Sequence, residues 1–141
     1  MSLITEEPIF LEKLLSGKPG ASTGARAVFA GYVRDLNEGK RVRKLFYECY
    51  AEMAERQIES VSAEARRKWP LDRVFVLHRI GWLSVGEIAV VVMVDSAHRK
   101  EAFAACEWIV DEIKKNVPIW KKEIYADDGN YSGRRKKLAV R

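Results

Sequence analysis

Two lysines bracket a proline break in the run Lys114-Lys115-Asn116-Val117-Pro118-Ile119-Trp120-Lys121-Lys122-Glu123. An apolar Val-Pro-Ile-Trp plug separates Lys114 from Lys121. An ammonium beside buried apolar groups is disfavoured by desolvation, one route to a lysine that does acid–base or nucleophilic work near neutral pH. Lysines in a last helical turn also simply complement the helix dipole, and on this stretch alone that plainer account leads. A second group is Ser96-Ala97-His98-Arg99. It reads as a strand-to-helix junction, where free backbone N–H groups favour an anion and His98 and Arg99 add donors. Arg34 ends a strand-like run and has the planar fork that grips phosphate; its plainer role is a salt-bridged edge residue. These residues together point to a phosphate or acidic ligand. The chain has no P-loop, dinucleotide glycine fingerprint or nucleophile triad. Cys49 and Cys106 stand far apart with no zinc-ligand spacing, and read as small core residues. His78, alone in an apolar strand, reads as a hydrogen-bonded structural residue.

The elements that must position these groups follow from periodicity. Residues 7–15 form a short helix candidate with Pro8 at its first turn. Gly24 to Arg34 is nearly continuously apolar and reads as an interior strand, with Val28, Ala30, Tyr32 and Arg34 on one face. The turn Asp35 to Arg41 and the strand Val42 to Tyr50 then suggest a hairpin with a basic tip. Residues 51–69 repeat Ala54, Ile58, Val61, Ala65 and Trp69 at helical spacing, and Pro70 ends the pattern. Strands follow at Asp72 to Ile80 and Glu87 to Val94, joined by a Gly81-to-Gly86 connection as a second hairpin. Asp95 or Ser96 is the expected N-cap of a helix that runs to about Asn116. Its expected stripe is Phe103, Cys106, Ile109, Val110, Ile113 and Val117. Lys114 falls on the flank of that stripe, and Trp108 falls opposite it as a candidate contact with another chain. Ile119 to Tyr125 is a strand with Lys121 on the face of Ile119 and Glu123. His98 and Lys114 lie at opposite ends of one helix, roughly 24 Å apart at 1.5 Å per residue. That distance is an obstacle to one compact pocket in one chain: either the ligand is long, or two chains contribute, or one of these groups is not in the site.

The 141 residues suit one domain spanning 1–141, with 1–23 as an N-terminal helix and loop and 126–141 as a variable basic tail. A hydrophobic fraction of 48% and a charged fraction of 32% fit a globular protein, and no apolar run approaches the roughly 20 residues of a membrane span. The acidic N-terminus lacks a signal-peptide pattern, so a cytoplasmic protein is expected. The net charge of +5 attracts anions of any kind. A non-enzymatic RNA- or anion-binding module is therefore the rival reading, although no stacking platform supports it.

Six pieces carry a family resemblance: Phe29-Ala30-Gly31-Tyr32-Val33-Arg34, Tyr50-Ala51-Glu52-Met53-Ala54, His78-Arg79-Ile80-Gly81, Val85-Gly86-Glu87, Ser96-Ala97-His98-Arg99, and Lys114 through Glu123. In order and spacing, from about residue 24 to 125, they strongly resemble the large, catalytic subunits of molybdopterin synthase. The resemblance implies an α+β, α/β-hammerhead fold and a homodimer. It implies a heterotetramer with two small ubiquitin-like sulfur carriers, each ending in a Gly-Gly thiocarboxylate. It implies two sulfur transfers to cyclic pyranopterin monophosphate, forming the dithiolene of molybdopterin without metal, cofactor, nucleic acid or membrane. By motif, Lys114 and Lys121 resemble that family's essential lysines. Tyr32, Val33, Arg34, His98, Arg99, Lys122 and Glu123 match its substrate-contacting positions. Beyond Tyr125 the chain departs from the family pattern.

Overall fold

The computed structural model describes residues 3–37, 39–125 and 135–137. In chain order the elements are β1 (Ile4–Thr5), α1 (Leu11–Leu14), β2 (Ala25–Tyr32), β3 (Leu36–Asn37), β4 (Lys40–Cys49), α2 (Ala51–Lys68), β5 (Leu71–Arg79), β6 (Gly81–Ser84), β7 (Ile88–Ser96), α3 (Arg99–Asn116), β8 (Ile119–Tyr125) and β9 (Arg135–Lys137). This is the α+β arrangement expected from the sequence.

Two helices follow from their apolar spacing. Ala54, Ile58, Val61 and Ala65 of α2 are buried, and the Trp69 N–H closes the last turn on the Ala65 carbonyl before Pro70. In α3 the buried stripe is Ala102, Ala105, Cys106, Ile109 and Ile113. Phe103, expected in that stripe, is 66% exposed. Phe103 follows Ala102 by one residue, about 100° round the helix, which places it on the flank of that stripe and outward. Trp108 is corrected in the opposite direction: it is half-buried, edge-on to Trp69 at 5.9 Å, with the Lys68 ammonium 5.3 Å above its ring. It fastens α2 to α3 within one chain.

The first sheet has the order β1-β5-β7-β2, antiparallel except for the β1–β5 pair. Ala89 to Ser96 in β7 is wholly buried, which explains the unbroken apolar run from Ala89 to Val94. β2 is an edge strand of this sheet, not an interior one. The face it turns to the core carries Ala27 and Phe29, while Val28 and Tyr32 are exposed. A register shift between Gly31 and Tyr32 ends the simple alternation.

β4 does not pair with β2, so the expected hairpin is replaced by a crossing between sheets. Val33 is buried, its N–H donates to the Glu87 carbonyl and its carbonyl accepts from Gly86 N–H. Those bonds seal β2 against the turn before β7. The chain then makes the small β3–β4 pair and enters a second sheet, where β4 lies between β6 and β8, and β8 carries β9 on its outer edge. Gly86 adopts φ +90°, a left-handed conformation that a side chain resists, and so permits the tight turn between β6 and β7.

Candidate functional site

Lys114 occupies the last turn of α3 and is half-buried. Its ammonium lies 5.8 Å from the centre of the Phe29 ring. Beneath it the first sheet presents one cross-strand row, Gly31–Val90–His78. Lys114 and His78 line a small cavity whose other walls are Phe29, Val90, Val92, Val110 and Ile113. Gly31 is needed in this row: a Cβ there would sit 2.9 Å from the Val90 side chain and 3.3 Å from the Phe29 ring.

Lys121 comes to the same neighbourhood from the second sheet. Its register partner is Tyr47, and paired residues on antiparallel strands share a face. Ile119 and Glu123 lie on that face too, both buried. The Lys121 ammonium is 3.4 Å from Glu123 Oε1, and the Tyr125 hydroxyl donates to Glu123 Oε2 at 2.5 Å. Lys121 therefore faces a carboxylate inside the fold, a stronger partner than the apolar plug that the sequence offers. Tyr47 links the two lysines, because its ring meets His78 edge-on at 5.3 Å. Burial, reinforced by the Glu123 charge, pushes the Tyr47 hydroxyl up to about 12, so it is a proton donor at neutral pH. Burial holds His78 down at about 4, against the opposing effect of its backbone hydrogen bond, so the imidazole is neutral. Sequence reasoning took His78 as structural and passed over Tyr47. The β4–β8 register that puts Tyr47 opposite Lys121 has no local signal in the chain.

The other expected residues divide by position. Tyr32, Val33 and Arg34 follow Gly31 at the end of β2, beyond the row that lies under Lys114; Tyr32 and Arg34 are exposed, while Val33 contributes its backbone. Lys122 points to the opposite face of the second sheet from Lys121, in a row with Phe46 and Trp82. Glu123 is 1% exposed and engaged with Lys121 and Tyr125, so its visible role is to hold its neighbours.

His98 and Arg99 lie at the far end of the first sheet. His98 is the N-cap residue of α3 and Arg99 its first residue, both exposed. Asp95 and Ser96, the expected caps, belong to β7 instead. Asp95 is bound by Arg26 at 2.7 and 2.9 Å, and Ser96 Oγ donates to the His98 carbonyl at 2.6 Å. Both side chains are spent before the helix begins. Gly24 completes the junction by donating to the Ser96 carbonyl; a Cβ there would clash with the Ala97 carbonyl oxygen. The length of α3 separates this junction from Lys114 by roughly 24 Å. Within one chain the structure thus brings together Lys114, Lys121 and the end of β2, and keeps His98 and Arg99 apart from them.

The two cysteines are poor nucleophiles. Cys106 is buried under α3 with its thiol directed at the Val92 carbonyl, and burial pushes it up to about 11. Burial and the Glu55 charge also raise Cys49. Neither supplies a ready thiolate near neutral pH. The lysine end of the molecule instead presents ammonium and phenol groups, with Glu123 as the carboxylate beside Lys121. No helix among the described residues is long and apolar enough to cross a membrane.

Comparison with known proteins bears on this arrangement. The family model described as MoaE protein matches residues 4–116. The molybdopterin synthase catalytic subunit of Pyrococcus abyssi is 44% identical over 132 residues, 93% of this chain and 88% of the relative. The X-ray crystal structure of molybdopterin synthase from Staphylococcus aureus superposes with a TM-score of 0.85 at 38% identity, covering 94% of each chain. A protein–protein complex of subunits 1 and 2 of molybdopterin-converting factor from Helicobacter pylori shares the fold, with a TM-score of 0.71, 22% identity and 91% coverage of each chain.

Proposed function

This chain belongs to the MoaE protein family and is an enzyme of molybdenum-cofactor biosynthesis, similar to molybdopterin synthase catalytic subunits; on that premise we propose that it transfers sulfur from a carrier's C-terminal thiocarboxylate to cyclic pyranopterin monophosphate. The observation that carries this reading is the approach of Lys114 to His78 from the end of α3 and of Lys121 to Tyr47 from the second sheet, with the His78 and Tyr47 rings in edge-on contact. A thiocarboxylate is anionic, and two ammonium groups beside a phenol donor suit its binding and orientation. Lys114 and Lys121 move protons as the carrier's thiocarboxylate sulfur bonds to a pterin carbon and displaces its oxygen substituent, and as water then cleaves the resulting carbonyl–sulfur bond, releasing the carrier as its carboxylate and leaving the sulfur on the pterin. The raised thiols of Cys49 and Cys106 support an external sulfur source.

The partner is a small sulfur-carrier subunit, in keeping with the two-subunit complex formed by the Helicobacter pylori neighbour. The substrate's cyclic phosphate suits Arg34 and the His98–Arg99 junction. The length of α3 makes a homodimer the natural way to assemble these donors, with His98 and Arg99 supplied to the lysines of the other subunit. A cytoplasmic setting fits the chemistry.

Reconstitution with a thiocarboxylated carrier and cyclic pyranopterin monophosphate is the test. Dithiolene product is expected from the wild type. Lys114→Ala and Lys121→Ala should each lower turnover by about a hundredfold or more, the scale of a lost acid–base or oxyanion partner, with circular dichroism unchanged. Absence of product from the wild type contradicts the activity, and normal turnover in both variants contradicts the lysine assignment.

A further inference from the structure

The outer face of the second sheet carries an aromatic pair that the proposed reaction does not use. Leu45, Tyr47 and Leu83 point inward and are buried, so the alternate residues Lys44, Phe46, Trp82 and Ser84 lie on the outer face. Phe46 and Trp82 are register partners on β4 and β6, with ring centres 4.9 Å apart and planes inclined by 54°. Trp82 is 48% exposed, and the Lys44 ammonium lies 4.6 Å from the centre of its ring. Lys122 of β8 follows in the same row. At the start of β4, Lys40, Arg41, Arg43 and Lys44 are all exposed, within roughly 20 Å of Phe46 along the strand. Asp35 is 3.7 Å from Arg41, and Glu48 lies toward the other end of β4.

We propose that this face is a binding platform for single-stranded nucleic acid. An aromatic pair on neighbouring strands offers ring faces to unstacked bases, which is how a sheet takes hold of a single strand. The cations of β4 meet its phosphates. A base competes well for Trp82, because stacking on an indole outweighs an exposed cation–π contact. The displaced Lys44 ammonium then has a phosphate to pair with. The lysines also separate this ligand from a protein partner: the cores of protein interfaces share the aromatics but are depleted of lysine. The net charge of +5 adds a general attraction for polyanions. No short window of the sequence shows this platform, because only the β4–β6 pairing brings Phe46 and Trp82 together. Lys121 and Tyr47 face the other side of the sheet, so this binding does not depend on sulfur transfer.

The test is fluorescence anisotropy of a 5′-fluorescein oligouridylate of about ten nucleotides, titrated with the full chain. Micromolar affinity is expected at about 50 mM salt, with a loss of roughly fiftyfold at about 200 mM, as for four phosphate contacts on a single strand. Trp82→Ala and Phe46→Ala should each weaken binding about tenfold, the scale of one lost base stack. Trp82→Phe keeps a stacking face and should stay within about threefold of the wild type; a loss as large as in Trp82→Ala counts against stacking. Lys44→Gln should lower the salt slope by about one phosphate. Duplex RNA of the same length should bind more weakly, because its bases are already stacked. No binding at about 50 mM salt and about 100 μM protein overturns the proposal. Binding that both alanine variants leave unchanged, or equal affinity for the duplex, overturns it too, because the interaction is then bulk charge alone. If Trp82→Ala weakens only the carrier and leaves the oligonucleotide unaffected, the face is a protein interface and the proposal fails.

Discussion

At position 78 a neutral imidazole is enclosed by Val90, Tyr47 and Lys114, and this enclosure has a consequence for stability that is separate from catalysis. In an unfolded chain a histidine titrates near 6.5; in the fold His78 is held at about 4. Between those values the unfolded state binds a proton that the native state refuses. Stability is therefore full above about pH 6.5 and falls as the pH drops toward 4, by up to about 3 kcal/mol. Urea unfolding at pH 7 and pH 4.5 should show the wild type losing about 2–3 kcal/mol relative to His78→Phe over that interval. An equal loss in both proteins contradicts a buried neutral imidazole. At this scale the sequence was informative about residue type. Lone His78 in an apolar strand reads as hydrogen-bonded, and the Arg79 carbonyl is that partner. Lys121 reads on the face of Glu123, and the ion pair is there. Tyr47 was not legible, because its meaning depends on a strand seventy-odd residues away.

Elements differ in how much of their geometry is local. The bounds of α2, α3 and β8 follow from apolar spacing and from Pro70 and Pro118, all readable in a short window. Strand pairing is not local, and a β2–β4 hairpin is the natural expectation for two strands joined by a short polar turn. The chain instead spends Val33 and its backbone on sealing β2 against Gly86 and Glu87, and sends β4 to another sheet. The apolar stripe of α3 is likewise corrected, since the buried face is Ala102, Ala105, Cys106, Ile109 and Ile113, with Phe103 outside it. That correction is measurable. Ile109→Ala should cost about 2–4 kcal/mol in urea unfolding, as for other buried large-to-small changes. Phe103→Ala should stay within about 0.5 kcal/mol, as for an exposed site. Comparable losses for the two would restore Phe103 to the core and contradict the orientation of α3.

The whole molecule is polarised along α3, with the lysines at one end and the His98–Arg99 junction at the other. The sequence already contains this separation, because eighteen helical residues have a fixed length; the fold adds that no turn of the chain brings the ends together. In the proposed homodimer a second subunit would complete a site that needs both ends, each pocket drawing its lysines from one chain and its junction from the other. Mixed dimers of Lys114→Ala and His98→Ala chains decide this. In such a dimer one pocket carries both defects and the other carries none. Random reassociation of equal amounts gives half mixed dimers with one sound pocket each, so dithiolene formation should return to roughly a quarter of the wild-type rate while each variant alone stays near background. Mixing that restores nothing, with exchange of subunits verified by mass spectrometry, would contradict a pocket shared between chains.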